Sequence, residues 1–209
     1  RKITQHDGRT MNYLEQGIKF KVKKVVRYLA LYGPSRTLMK IRGQLHIRNK
    51  YAKRFNEGKS AGDVAIVGCG NYSFTTIAYY LKNKTKGKLK ACCDTDLEKA
   101  KSLAGFYGAS IATTNFDVIL QDDDISIVFI ASNHSTHAEY AIKALNAGKH
   151  VHIEKPHVTT EDQLKRLINA AKESGGKVNL GFNRPNSQLG RALRSSLASQ
   201  HGPGMYNWF

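Results

Sequence analysis

The chain's 209 residues suffice for one complete α/β domain with smaller pieces beside it. Hydrophobic residues at 41% and charged residues at 23% exclude global disorder, and no apolar run approaches the roughly 18–20 residues that cross a bilayer. The net charge of +17 is lopsided: residues 1–60 hold 16 Lys and Arg against 3 Asp and Glu, whereas residues 61–209 hold 17 against 13, so the basic excess belongs to a leading segment.

Residues 1–60 read as a basic helical extension and linker. Arg1 to His6 carry neither an initiator Met nor an apolar stretch, so they are not a secretory signal and look like the interior of a longer protein. The pattern predicts a helix from Tyr13 to Leu31. Leu14, Ile18, Val22, Val25 and Leu29 form its apolar stripe, and Lys19, Lys21, Lys23, Lys24 and Arg27 carry its charge. Gly33-Pro34-Ser35 should break it, Thr37 to Tyr51 gives a second short basic element, and residues 56–62 read as a linker. Such a segment suits a solvated linker helix or docking arm. Membrane-surface contact is the next reading. Nucleic-acid binding ranks lowest, because no recognition motif accompanies the charge.

Residues 61–182 alternate apolar runs with helical patterns, which predicts a doubly wound parallel sheet of Rossmann type. Val64–Val67 is continuously apolar, as a strand buried on both faces should be. Further strands are expected at Leu89–Asp94, Ile125–Ala131, His150–Ile153 and Lys177–Phe182. Thr95-x-x-Glu98 and Thr160-x-x-Gln163 have the form of capping boxes at helix starts, and Gly148 and Gly175 stand at expected helix ends. Cys69, Cys92 and Cys93 form no C-x-x-C pair and read as reduced, packed thiols. His134 and His137, or His150 and His152, lack the further carboxylate or Cys cluster of a metal site, so no metal is expected. Residues 183–209 read as the truncated start of a second α/β domain, with a helix over Gln188–Ser199 and an apolar, aromatic finish resembling a strand.

The chemistry is concentrated after the Val64–Val67 strand. In Gly68-Cys69-Gly70-Asn71-Tyr72-Ser73, Gly68 can make a tight turn, and Gly70 lets backbone approach a pyrophosphate at a helix N-terminus. Ser73 occupies the third, close-packing glycine position. A G-x-G-x-x-S loop alone is a weak signal. Asp94 at the end of the next strand strengthens it, since a carboxylate there accepts from ribose hydroxyls and repels a 2′-phosphate. NAD is therefore favoured over NADP, with S-adenosylmethionine the chief rival ligand.

Two further stretches, Ser132-Asn133-His134-Ser135-Thr136-His137 and Glu154-Lys155-Pro156, make the pattern specific. With the glycine loop and Ala147-Gly148-Lys149-His150-Val151, the region from about residue 63 onward resembles the glucose–fructose oxidoreductase/inositol dehydrogenase (Gfo/Idh/MocA) family. Gly181-Phe182-Asn183-Arg184 matches the segment after that family's sixth strand. The resemblance implies hydride transfer between a nicotinamide cofactor and a sugar, cyclitol or sugar-derivative alcohol or ketone. Lys155 inherits the catalytic position beside nicotinamide ribose and substrate. Gly68, Gly70, Asn71, Tyr72, Ser73, Asp94, Ser132, Asn133, His137, Glu154, Lys155 and Asn183 inherit cofactor contacts. The resemblance also implies a cytoplasmic, homo-oligomeric full-length enzyme whose remaining catalytic groups lie in a following domain. The fragment alone is then expected to be inactive. A non-catalytic nucleotide-binding sensor or scaffold is the alternative, which NAD binding without turnover by the full-length protein would reveal.

Overall fold

A computed structural model describes residues 17–58, 61–85, 88–182 and 187–197. The chain divides into two compact units, Arg1–Gln44 and Leu45–Phe209.

Helix α1 (Ile18–Ile47) covers the predicted helix from Ile18 onward and most of the second basic element, its last three residues belonging to the second unit; Tyr13–Gln16 of the prediction lie outside the described residues. The expected break is a single residue, Gly33, whose φ of 77° and ψ of 172° leave helical geometry. Pro34 then opens the second half, where a missing N–H is tolerated. Thr37 Oγ1 donates to the Gly33 carbonyl at 2.9 Å and satisfies it. Lys24, Val25 and Tyr28 before the break and Thr37, Lys40 and Ile41 after it line one cavity of about 460 Å³. No helix among the described residues is long and apolar enough to cross a membrane.

The second unit is a six-stranded, all-parallel sheet in the order β3-β2-β1-β4-β5-β6. Its strands are β1 (Val64–Val67), β2 (Leu89–Cys93), β3 (Ile111–Thr113), β4 (Ile127–Ile130), β5 (His150–Ile153) and β6 (Val178–Leu180). A helix from Asn71 to Lys84 follows β1. Its segment Ser73–Ile77 is widened into a π turn and its remainder is α2 (Ala78–Lys84). Then come α3 (Leu97–Tyr107), α4 (Asp117–Leu120), α5 (His137–Asn146), α6 (Glu161–Glu173) and α7 (Gln188–Leu197). This is the doubly wound Rossmann order, whose direction reverses between β1 and β4 and opens a crevice at the strands' carboxyl ends.

All four residues of β1 are buried, so both faces of the sheet are covered there. One face packs Val67, Val128, Ile130 and Ile153 against Ile119, Leu145 and Leu167. Elsewhere an aromatic cluster joins Phe74 to Tyr51, Phe106 and Tyr107 with ring separations of 4.7–5.8 Å. Tyr51 and Ala52 bury themselves, and so the compact unit begins upstream of residue 61.

Two local expectations need correction. The cap of α3 is Asp96, whose carboxylate accepts from the Glu98 N–H, and Thr95 instead donates to Asp94. The short aspartate reaches the N2 amide directly, so no Thr95 box forms. Thr160 does cap α6 and accepts from the Gln163 N–H at 3.2 Å, but the Gln163 side chain returns to the Thr159 N–H rather than to residue 160. Strand β3 and helix α4 carry no periodic signal long enough to read. The predicted terminal strand near Met205–Phe209 lies outside the described residues.

Candidate functional site

Of the residues picked out from the sequence, Gly68, Gly70, Tyr72, Asp94, Ser132, Asn133, His137, Glu154 and Lys155 border the crevice at the carboxyl ends of β1, β2, β4 and β5. Gly68 turns away from β1 with φ +86°, and its N–H donates to the Cys93 carbonyl at 2.8 Å. A Cβ on Gly68 would lie 2.4 Å from the Ala131 carbonyl oxygen, so the β4 exit crosses directly over it. At Gly70 a Cβ would meet nothing within 4 Å, which leaves open space above the helix start. Ser73 is buried, and its hydroxyl donates to the Gly68 carbonyl, closing the loop from below.

Asp94 sits one strand away. Its Oδ2 accepts from the Cys69 N–H at 2.7 Å, and its Oδ1 accepts from the Asp96 N–H at 3.0 Å and from the Thr95 hydroxyl at 3.4 Å. A carboxylate has about four acceptor positions, so one remains for another donor. Gly68, Gly70, Asp94, Ser132 and Asn133 line a cavity of about 320 Å³. Lys99, Thr136 and Tyr140 line it as well, and sequence reading did not identify them. Lys99 Nζ lies 3.5 Å from Asp96 Oδ2 and is a cation at the Asp94 end.

A second cavity of about 340 Å³ adjoins the first through Ala131 and Ser132. Tyr72, His134, His137, Glu154 and Lys155 line it. Glu154 accepts from His152 Nε2 at 3.3 Å and from the Tyr72 hydroxyl. Burial, reinforced by the Glu154 charge and hydrogen bond, pushes the Tyr72 phenol up to about 12, so it remains a neutral donor. His137 is buried at the start of α5, with Nδ1 2.7 Å from the Pro156 carbonyl and Nε2 2.9 Å from the Ser132 carbonyl. Its ring joins the loop after β4 to the loop after β5. Ser132 Oγ lies 2.8 Å from Thr136 Oγ1, which also binds the Asn133 carbonyl.

Asn71 lines neither cavity, and its Oδ1 is buried without a partner. Asn183 lies outside the described residues. Among the described residues, no group of three or more His, Cys, Asp or Glu gathers as a metal site would require. All three cysteines are buried and free. Burial pushes the Cys69 thiol up and holds Cys93 at about 11. The native chain at pH 8 should therefore label at Cys69 and Cys93 about 100-fold more slowly with a thiol reagent than the denatured chain does. Equal rates, read by mass spectrometry, would mean these thiols are open to solvent.

The family description "Oxidoreductase family, NAD-binding Rossmann fold" matches residues 63–182. The chain is 33% identical over 122 residues to an inositol 2-dehydrogenase from Saccharopolyspora erythraea, covering 58% of this chain and 36% of that protein. A crystal structure of KijD10, a 3-ketoreductase from Actinomadura kijaniata in complex with NADP, superposes with a TM-score of 0.59 at 25% identity, covering 66% of this chain and 44% of that one. GenD2 from gentamicin A biosynthesis, in complex with NAD, gives a TM-score of 0.59 at 28% identity, with 69% and 42% covered. The chain spans 34–41% of the length of the first four curated relatives it matches.

Proposed function

Because this chain belongs to the Gfo/Idh/MocA oxidoreductase family, we propose that it forms the cofactor-binding portion of an NAD-dependent dehydrogenase acting on a sugar, cyclitol or sugar-derivative alcohol or ketone. The observation that carries this reading is the pair of adjoining cavities at the switch point. One holds Gly70 and Asp94, the other holds Lys155, and Ser132 lines both.

The residues present fit a dinucleotide. The space above Gly70 admits a pyrophosphate against backbone N–H groups at a helix start. The free acceptor position of Asp94 suits ribose hydroxyls. When bound, the nicotinamide would supply hydride chemistry at its C4.

Lys155, exposed after β5, would hydrogen-bond the substrate oxygen and hold or pass its proton. Glu154 and the Tyr72 hydroxyl, joined by a hydrogen bond, border the same cavity. His137 acts by position: both its nitrogens face main-chain carbonyls, so it fixes the Ser132 loop against Pro156 and thereby the neighbouring Lys155.

Asp94 favours NAD because its charge repels a 2′-phosphate, whereas Lys99 supplies a partly compensating cation. Similar proteins include both an NADP complex and an NAD complex. Fluorescence titration is expected to give NADH a Kd about 10-fold below that of NADPH. Asp94→Ala should weaken NADH binding by about 10- to 100-fold and narrow the gap between the two, as loss of charge-assisted bonds at roughly 1.5–3 kcal/mol implies. Equal NADH binding by wild type and Asp94→Ala would remove Asp94 from the site.

A further inference from the structure

Beneath the crevice, within the second unit itself, lies His46, a residue outside the matched region 63–182. His46 is 1% exposed. Its ring stacks on Phe74 at 4.3 Å with planes 10° apart. Nε2 lies 2.7 Å from the Cys69 carbonyl oxygen, and Nδ1 lies 3.0 Å from Ser102 Oγ on α3. A carbonyl can only accept, so Nε2 carries the proton and Nδ1 accepts from the Ser102 hydroxyl. Burial lowers the pKa of His46, which agrees with a neutral ring bearing that single proton.

Residue 69 is the middle of the Gly68-Cys69-Gly70 turn, and its backbone is gripped from two directions. Its N–H donates to Asp94 Oδ2 and its C=O accepts from His46. The Cys69–Gly70 peptide is trans, and in a trans peptide the carbonyl and the following N–H point in opposite directions. Holding the Cys69 oxygen toward the buried ring therefore turns the Gly70 N–H away from it, on the side where Gly70 borders open cavity. We propose that His46 is a positioning residue for the dinucleotide: by fixing the Cys69–Gly70 peptide, it presents the Gly70 amide to the pyrophosphate. This rests on the dinucleotide reading of the crevice.

Pyrophosphate binding distinguishes this role from general packing. His46→Phe keeps a ring against Phe74 but cannot donate to Cys69. In the 209-residue chain it should raise the Kd of NADH and of ADP-ribose about 10-fold, while the Kd of adenosine, measured by competition, stays within about twofold of wild type. His46→Gln, which retains a donor, should recover part of the loss. Ser102→Ala should shift the same two ligands in the same direction by a smaller factor, and it carries the test if His46→Phe does not fold. Wild-type affinity for NADH and ADP-ribose in His46→Phe overturns the proposal, and so does an equal loss for adenosine and ADP-ribose. If the wild-type chain bound neither NADH nor NADPH, the reading of the crevice would fall and this role with it. Binding by wild type with no change in the variants defeats His46 alone.

Discussion

Gly70→Val is expected to weaken NADH binding at least about 100-fold while leaving Tm within about 2 °C of wild type. The same substitution at Gly68 is expected to destabilise the fold by more than about 3 kcal/mol. The two glycines stand two residues apart and answer to different constraints. Gly68 has φ +86°, where a β-branched side chain is strained, and its Cβ would fall 2.4 Å from the Ala131 oxygen, a backbone atom that cannot move aside cheaply. Gly70 is exposed, and a Cβ there meets nothing. A valine costs the folded chain little at such a site, but it occupies the space proposed for the phosphates. Thermal melts and NADH fluorescence titrations on both variants separate the effects. Normal NADH binding by Gly70→Val would place the cradle elsewhere. A stable Gly68→Val would mean the β4 exit does not cross the turn as described.

This contrast also shows what the sequence could and could not convey. The β1 and β5 boundaries match the prediction to the residue: β1 is a continuous apolar run buried on both faces, whereas β5 alternates buried Val151 and Ile153 with half-buried His150 and His152. β3 is three half-buried residues at a sheet edge, and α4 is a single turn, too short for either periodicity to register. Gly68, Gly70, Asp94, Ser132 and Lys155 were legible because each follows a strand end, where a doubly wound sheet places its crevice. Lys99 was not, although a cation in the first turn of the helix after Asp94 is a usable signal: that turn faces the same crevice. His46 offered no local cue. It is a lone histidine at the end of a basic helix, and only the tertiary fold brings it beneath residue 69.

Lys149 carries the largest expected effect remote from the crevice. In the sequence it belongs to the run leading into Glu154-Lys155-Pro156. In the fold it precedes β5, so it sits at the amino ends of the strands, opposite the crevice. It is 4% exposed, and its Nζ donates to the carbonyls of Asp122 and Ile125, both at 2.9 Å. The Asp122 carboxylate is held in turn by Lys90 at 2.8 Å. Two lysines thus organise the turn between α4 and β4. Lys149→Met keeps the length of the side chain but leaves both carbonyls without their donor. Losing two charge-assisted bonds outweighs the relief of burying one ammonium less, giving a net loss of about 2–4 kcal/mol. The Tm should fall by on the order of 8 °C, and the Kd for NADH should stay within about twofold because the crevice lies at the other end of the sheet. Lys143→Met, at an exposed position on α5, should stay within about 0.5 kcal/mol of wild type. If Lys149→Met melts with the wild type, its ammonium is not what holds the Asp122–Ile125 turn.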